Sequence, residues 1–186
     1  MDRRTLIKMA LGGGILGLLL GSSKNSKSGE AGEGFIRPPG AEPEELFLAT
    51  CARCGKCAEI CPLGCIKIAH GEQGLAIGTP YIVPLEGYCD LCLKCVEVCT
   101  AGALKPVEKE KVRMGLAEID KDICLARKGE DCRVCHGNCP FYDKAIKLES
   151  YKYPTVDPDY CTGCGRCENV CIASPQKAIT VKPRRD

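Results

Sequence analysis

Seventeen cysteines stand in a chain of 186 residues, and sixteen of them fall into four groups of one design. Box one is "CARCGKCAEIC", with Cys51, Cys54, Cys57 and Cys61, and box two is "CDLCLKCVEVC", with Cys89, Cys92, Cys95 and Cys99. Box four, "CTGCGRCENVC", sets Cys161, Cys164, Cys167 and Cys171 at the same spacing. Box three is stretched: seven residues follow Cys124 before Cys132, Cys135 and Cys139. The spacing C-x2-C-x2-C-x3-C suits a cubane iron–sulfur cluster. Three thiolates on a tight loop wrap three corners, and the fourth, a helical turn later, faces away and ligates the partner box's cluster. A disulfide framework gives no reason for one spacing to recur. Zinc sites use two C-x2-C pairs rather than a trio and a single. The sixteen cysteines are therefore read as iron ligands of four 4Fe-4S clusters.

"CRVCH", residues 132–136, also has the form of a haem attachment site. Haem there would strand Cys124 and Cys139, and a second axial ligand is scarce: the other histidine is His70, and Met114 is the single methionine of the box region. No covalent haem is expected, and His136 is read, like His70, as a surface residue. A Rieske site needs two histidines spaced with two cysteines, which this chain lacks. Cys65 is left over. It aligns with Ala103, Ala145 and Ala178 after the other boxes, so it reads as a small buried thiol, with a ligand swap with Cys61 or a reactive thiol as the alternatives.

The elements around the boxes repeat with them. First cysteines fall 38, 35 and 37 residues apart. Each box is followed by a strand-like piece: "CIKIA", "ALKPV", "AIKLE" and "AITVK". "TPYIV", "LAEID" and "YPTVD" precede boxes two, three and four. This predicts an α+β fold of two ferredoxin-like modules with two clusters each, over residues 47–186. Nested pairing, box one with four and two with three, is favoured here; sequential pairing satisfies the same local pattern. Three Phe, six Tyr and no Trp leave a thin apolar core, so ligation must supply much of the stability.

Residues 1–23 pair a basic start, "MDRRTLIK", with the apolar run "MALGGGILGLLLG". That run is short for a membrane span, and Arg3-Arg4 resembles a twin-arginine export signal, although Asp2 and Leu6 depart from its usual pattern. Cleavage and retention as an anchor both remain open. Residues 24–46, rich in Ser, Gly, Glu and Pro, read as a flexible linker. The formal net charge is +2, all of it from the leader, so no basic stripe points to nucleic acid. Neither histidine lies in H-E-x-x-H and there is no G-x-S-x-G, so a catalytic constellation is missing and an electron-transfer subunit is expected.

"IRPPGA", "GLAIGTPYIV", "RMGLAEID" and the stretched "CLARKGEDCRVCHGNCP" together resemble the NapG/MauM family of ferredoxin-type proteins. The resemblance implies four 4Fe-4S clusters, twin-arginine export, and electron relay at the outer, periplasmic face of the cytoplasmic membrane. It further implies a polytopic NapH-like partner that oxidises quinol, and an exported reductase, such as periplasmic nitrate reductase, or its carrier as acceptor. Two rival functions are an iron–sulfur subunit of an exported molybdenum oxidoreductase and an assembly factor for a partner enzyme. Export agrees with the boxes, because clusters are inserted inside the cell and the twin-arginine route carries folded cargo. The insert "LARKGED" in box three is expected to be a solvated loop.

Overall fold

The computed structural model describes residues 34–71 and 73–184; the expected leader lies outside them. The first helix among the described residues, α1 (Glu44–Thr50), starts behind Pro43, carries Glu44 and Glu45 in its first turn and buries Phe47 completely. Acidic residues there meet the positive end of the helix dipole. Each box then supplies one turn of helix between its second and fourth cysteines: α2 (Lys56–Glu59), α3 (Lys94–Glu97), α4 (Val134–Gly137) and α5 (Arg166–Asn169).

Six of the seven expected strands form: β1 (Ile66–Ile68), β2 (Pro80–Ile82), β3 (Gly115–Ile119), β4 (Ile146–Glu149), β5 (Tyr153–Val156) and β6 (Ile179–Pro183). Their side chains alternate as a half-buried strand requires. In β6, Ile179 and Val181 are buried while Thr180 and Lys182 face out, and Lys182 meets Glu118 across the ladder at 2.6 Å. "ALKPV" makes only an isolated bridge, Leu104 to Ala41, since Pro106 has no N–H to extend a ladder.

The strands form three antiparallel pairs, β1·β2, β4·β5 and β3·β6. The two elements between boxes one and two close on each other, as do the two between boxes three and four. The strand before box three, β3, pairs with the strand after box four, β6. The bridge from Ala41 to Leu104 closes boxes one and two in the same way. Helix α2 packs on α3, and α4 on α5. The backbone thus runs in sequential pairs, boxes one with two and three with four, and not in the nested order favoured from the sequence. The short connections decide this: each box's trailing strand meets the next box's leading strand directly.

A second correction concerns the linker expected at 24–46. Its last part is packed. Ile36 bridges Ile82, and Pro38 and Pro39 are fully buried. Arg37 lies between the rings of Phe35 and Phe47, 4.8 and 4.7 Å from their centroids. It donates through Nε to Glu44 at 2.8 Å, and through Nη1 to the Pro80 carbonyl at 2.7 Å and the Thr79 hydroxyl at 2.9 Å. A buried guanidinium with its donors satisfied and both faces covered ties this segment to α1 and β2. Among the described residues no helix is long and apolar enough to cross a membrane.

Candidate iron–sulfur sites

The box loops are bent for their task. In boxes one, two and four the residues on either side of the second cysteine have left-handed backbone: Arg53 and Gly55, Leu91 and Leu93, Gly163 and Gly165. Leucine and arginine hold that conformation at a cost of about 1–3 kcal/mol each, the kind of strain that gathers at functional sites. In the box-two loop Leu91 N donates to Cys89 Sγ at 3.4 Å, and beyond the box Leu104 N donates to Cys99 Sγ at 3.4 Å. In box three Arg133 does not take this form (φ −132°).

The fourth cysteines of boxes two, three and four leave their own trios. Cys51, Cys54 and Cys57 line a cavity with Cys99 of box two. Cys124, Cys132 and Cys135 line one with Cys171 of box four. Cys161, Cys164 and Cys167 line one with Cys139 of box three. Cys61 Sγ lies 3.5 Å from Cys65 Sγ, and Cys65 is in turn an electrostatic neighbour of Cys89 in box two. The fourth cysteines therefore exchange between boxes three and four, and that of box two crosses to box one. All seventeen cysteines are free of disulfides. Four thiolates around one zinc, each at about 2.3 Å, would draw together tightly. Among the described residues no group of three or more donors is gathered for a single metal ion. The spread sets, with apolar walls such as Ile119, Val134 and Ile179, instead fit a larger guest with thiolate corners.

Burial shapes these thiols. It pushes Cys57, Cys135 and Cys164 up to about 11 and Cys95 up to about 12, and it raises Cys167 as well. Its hydrogen bond to Cys89 pushes Cys65 up, and the same bond pulls Cys89 down. Thiols this reluctant to ionise become ligands by giving up their protons to a metal's charge, so cluster insertion releases protons.

The sets stand side by side. Cys57 and Cys95 are electrostatic neighbours, as are Cys135 and Cys167. Boxes two and four touch directly: Cys89 N donates to Cys164 O at 2.8 Å, and Asn169 Nδ2 to Pro84 O at 3.0 Å. The order in space is box one, two, four, three. Cys54 of box one is exposed, whereas all three trio cysteines of box four are buried.

Box four also makes a close backbone approach. A Cβ on Gly163 would lie 2.2 Å from Gly115 N, and Gly163 has φ +70°. Gly163→Ala is expected to cost about 3 kcal/mol or more through this clash and the left-handed backbone. A thermal melt of the loaded protein checks this, and a transition equal to wild type contradicts it.

Other residues singled out in the sequence sit as follows. His70 is exposed, as expected. His136 is not a free surface residue: its Nε2 pairs with Asp143 Oδ1 at 2.7 Å, and its ring lies edge-on to Tyr142. The sequence offers no local signal for that pair. The box-three insert is solvated only from Lys128 to Asp131. Ala126 is fully buried, and Arg127 lies 4.8 Å over the Tyr153 ring.

Residues 153–176 match the family model described as a 4Fe-4S binding domain. Over 195 residues the chain is 39% identical to the ferredoxin-type protein NapG of Escherichia coli, covering 97% of this chain and 83% of that one. It is 40% identical over 161 residues to the methylamine utilization ferredoxin-type protein MauM of Methylorubrum extorquens, covering 80% and 73%. The chain belongs to the NapG/MauM family of ferredoxin-type proteins. Similarity extends to the ferredoxin-type protein NapF of Haemophilus influenzae, at 35% identity over 150 residues and 78% of each chain. As a NapG/MauM-type protein it is an iron–sulfur electron-transfer protein that binds 4Fe-4S clusters.

Proposed function

We propose that the chain holds four 4Fe-4S clusters in two ferredoxin-like modules and relays electrons from a polytopic, NapH-like quinol-oxidising membrane partner to an exported reductase. A periplasmic nitrate reductase, or its electron carrier, is the first choice of acceptor. The clusters supply one-electron transfer. Cys51, Cys54, Cys57 and Cys99 would hold the first, and Cys89, Cys92, Cys95 and Cys61 the second. Cys161, Cys164, Cys167 and Cys139 would hold the next in space, and Cys124, Cys132, Cys135 and Cys171 the last. The observation that carries the reading is the unbroken line of cysteine sets, box one to two to four to three, joined at its middle by the Cys89 to Cys164 backbone hydrogen bond.

The chain's own residues divide the work. Apolar walls exclude water from the sets, and N–H groups such as those of Leu91 and Leu104 stabilise charge on sulfur. The exposed box-one loop offers one end to a partner, and box three stands at the other. The paired Arg3-Arg4 supports export by the twin-arginine route to the periplasmic face.

The test is electron flow. The purified protein should not oxidise a quinol analogue, while membranes containing the polytopic partner should reduce it when quinol is supplied, and deleting that partner should abolish the reduction. Nitrate with its exported reductase should then reoxidise it. Quinol oxidation by the isolated chain contradicts the relay. Normal electron flow in a strain with mutated box cysteines points instead to an assembly role.

A further inference from the structure

Cys65 is surplus to the four sets, yet it stands in one of them. It is 2% exposed, its Sγ lies 3.5 Å from Cys61 Sγ, and Cys89 is its electrostatic neighbour. A tight turn puts both sulfurs on one side: Gly64 N bonds back to Cys61 O at 3.1 Å, with Gly64 in left-handed backbone. The backbone leading into box two passes over Cys65 closely enough that a Cβ on Gly87 would sit 3.2 Å from the Cys65 Cβ. Packing does not explain the sulfur. The equivalent Ala103, Ala145 and Ala178 are just as buried, at 2%, 2% and 4%, so a methyl group fills this slot in the other three repeats.

We propose that Cys65 is a reserve ligand for the box-two site, able to take the place of Cys61 on the iron that Cys61 holds. The exchange is not a redox step. The Cys65 thiol gives up its proton and forms an iron–sulfur bond; the bond to Cys61 breaks, and Cys61 takes up a proton. A site with two candidate fourth ligands survives damage to one of them, such as oxidation of Cys61, at a position where the other three sites would lose their guest.

This proposal rests on the four-cluster reading, and the wild-type iron count tests that reading separately. Iron, sulfide and the electron paramagnetic resonance spectrum of reduced protein are measured on anaerobically purified chains. Wild type and Cys65→Ala should each carry about sixteen iron, with the same spectrum. Cys61→Ala should also keep about sixteen, with the signal of one cluster shifted, and the double variant should fall to about twelve. Cys99→Ala, whose reserve slot holds Ala103, should fall to about twelve on its own, and Ala103→Cys in that background should restore the loss. If Cys61→Ala does not accumulate, the Cys99→Ala pair decides. Equal counts of about twelve in Cys61→Ala and the double variant overturn the proposal. So does loss from Cys65→Ala with retention in Cys61→Ala, which would make Cys65 the resident ligand. A wild-type count near eight overturns the four-cluster reading and the reserve ligand with it.

Discussion

A Cys139→Ala variant should lose about four of about sixteen iron atoms, and the loss should come from box four although Cys139 belongs to box three. The reason is geometric. Cys139 lines the same cavity as Cys161, Cys164 and Cys167, while its own trio shares a different cavity with Cys171. Double variants separate this from local ligation. Cys139→Ala with Cys161→Ala removes two ligands of one site, so the count should stay at about twelve. Cys139→Ala with Cys124→Ala strikes two sites and should give about eight. If the fourth cysteine served its own box, the two results would be exchanged. Iron and sulfide analysis decides between them, because the difference is a whole cluster.

The second large effect is the loss of fold with the loss of iron. The largest fully buried side chains include Phe47, Ile146 and Val112, which is little apolar volume for residues 34–184. Much of the remaining interior is sulfur: Cys89, Cys95, Cys161, Cys164 and Cys167 belong to the main core. A small domain is stable by only about 5–15 kcal/mol, and even one structural zinc site contributes about 10–16 kcal/mol to folding. Stripping iron under denaturant-free, reducing conditions should therefore abolish the cooperative thermal transition and most of the far-ultraviolet circular dichroism. A stripped protein that still melts cooperatively near the loaded transition temperature would refute a cluster-dependent core.

The sites were more legible in the sequence than their partnership. Ligand spacing is local chemistry, so the trios could be read from letters alone, and so could the small-residue slot shared by Cys65, Ala103, Ala145 and Ala178. Pairing order is not local. "LAEID" and "YPTVD" look alike as strands whichever box they serve, and only the ladders of β3 with β6 and β4 with β5 distinguish the orders. Composition misled at residues 34–43, where prolines suggest a linker. Pro38 and Pro39 are buried because Arg37 finds Glu44, Thr79 and Pro80, and two of those partners lie more than forty positions away. Helix α1 was missed for a simpler reason: Pro43 followed by Glu44 and Glu45 is a helix start, but it sat inside a stretch already read as linker. His136 shows the reverse limit, since its Asp143 partner is close in sequence but has no recognisable motif.

The sequential closure of the boxes also bears on the order in which the protein is made. Synthesis runs from the amino terminus, and the contacts that join boxes one and two to each other, through the Leu104 bridge to Ala41, are already in the chain before the turn at Lys109–Lys111 is added. The backbone contacts between boxes one and two can therefore form before the later boxes are made. A nested order would have left Cys51 to Cys61 waiting, unliganded and open to oxidation, until Cys171 emerged. Closing in sequence shortens the time that each set of thiols spends without its partner box.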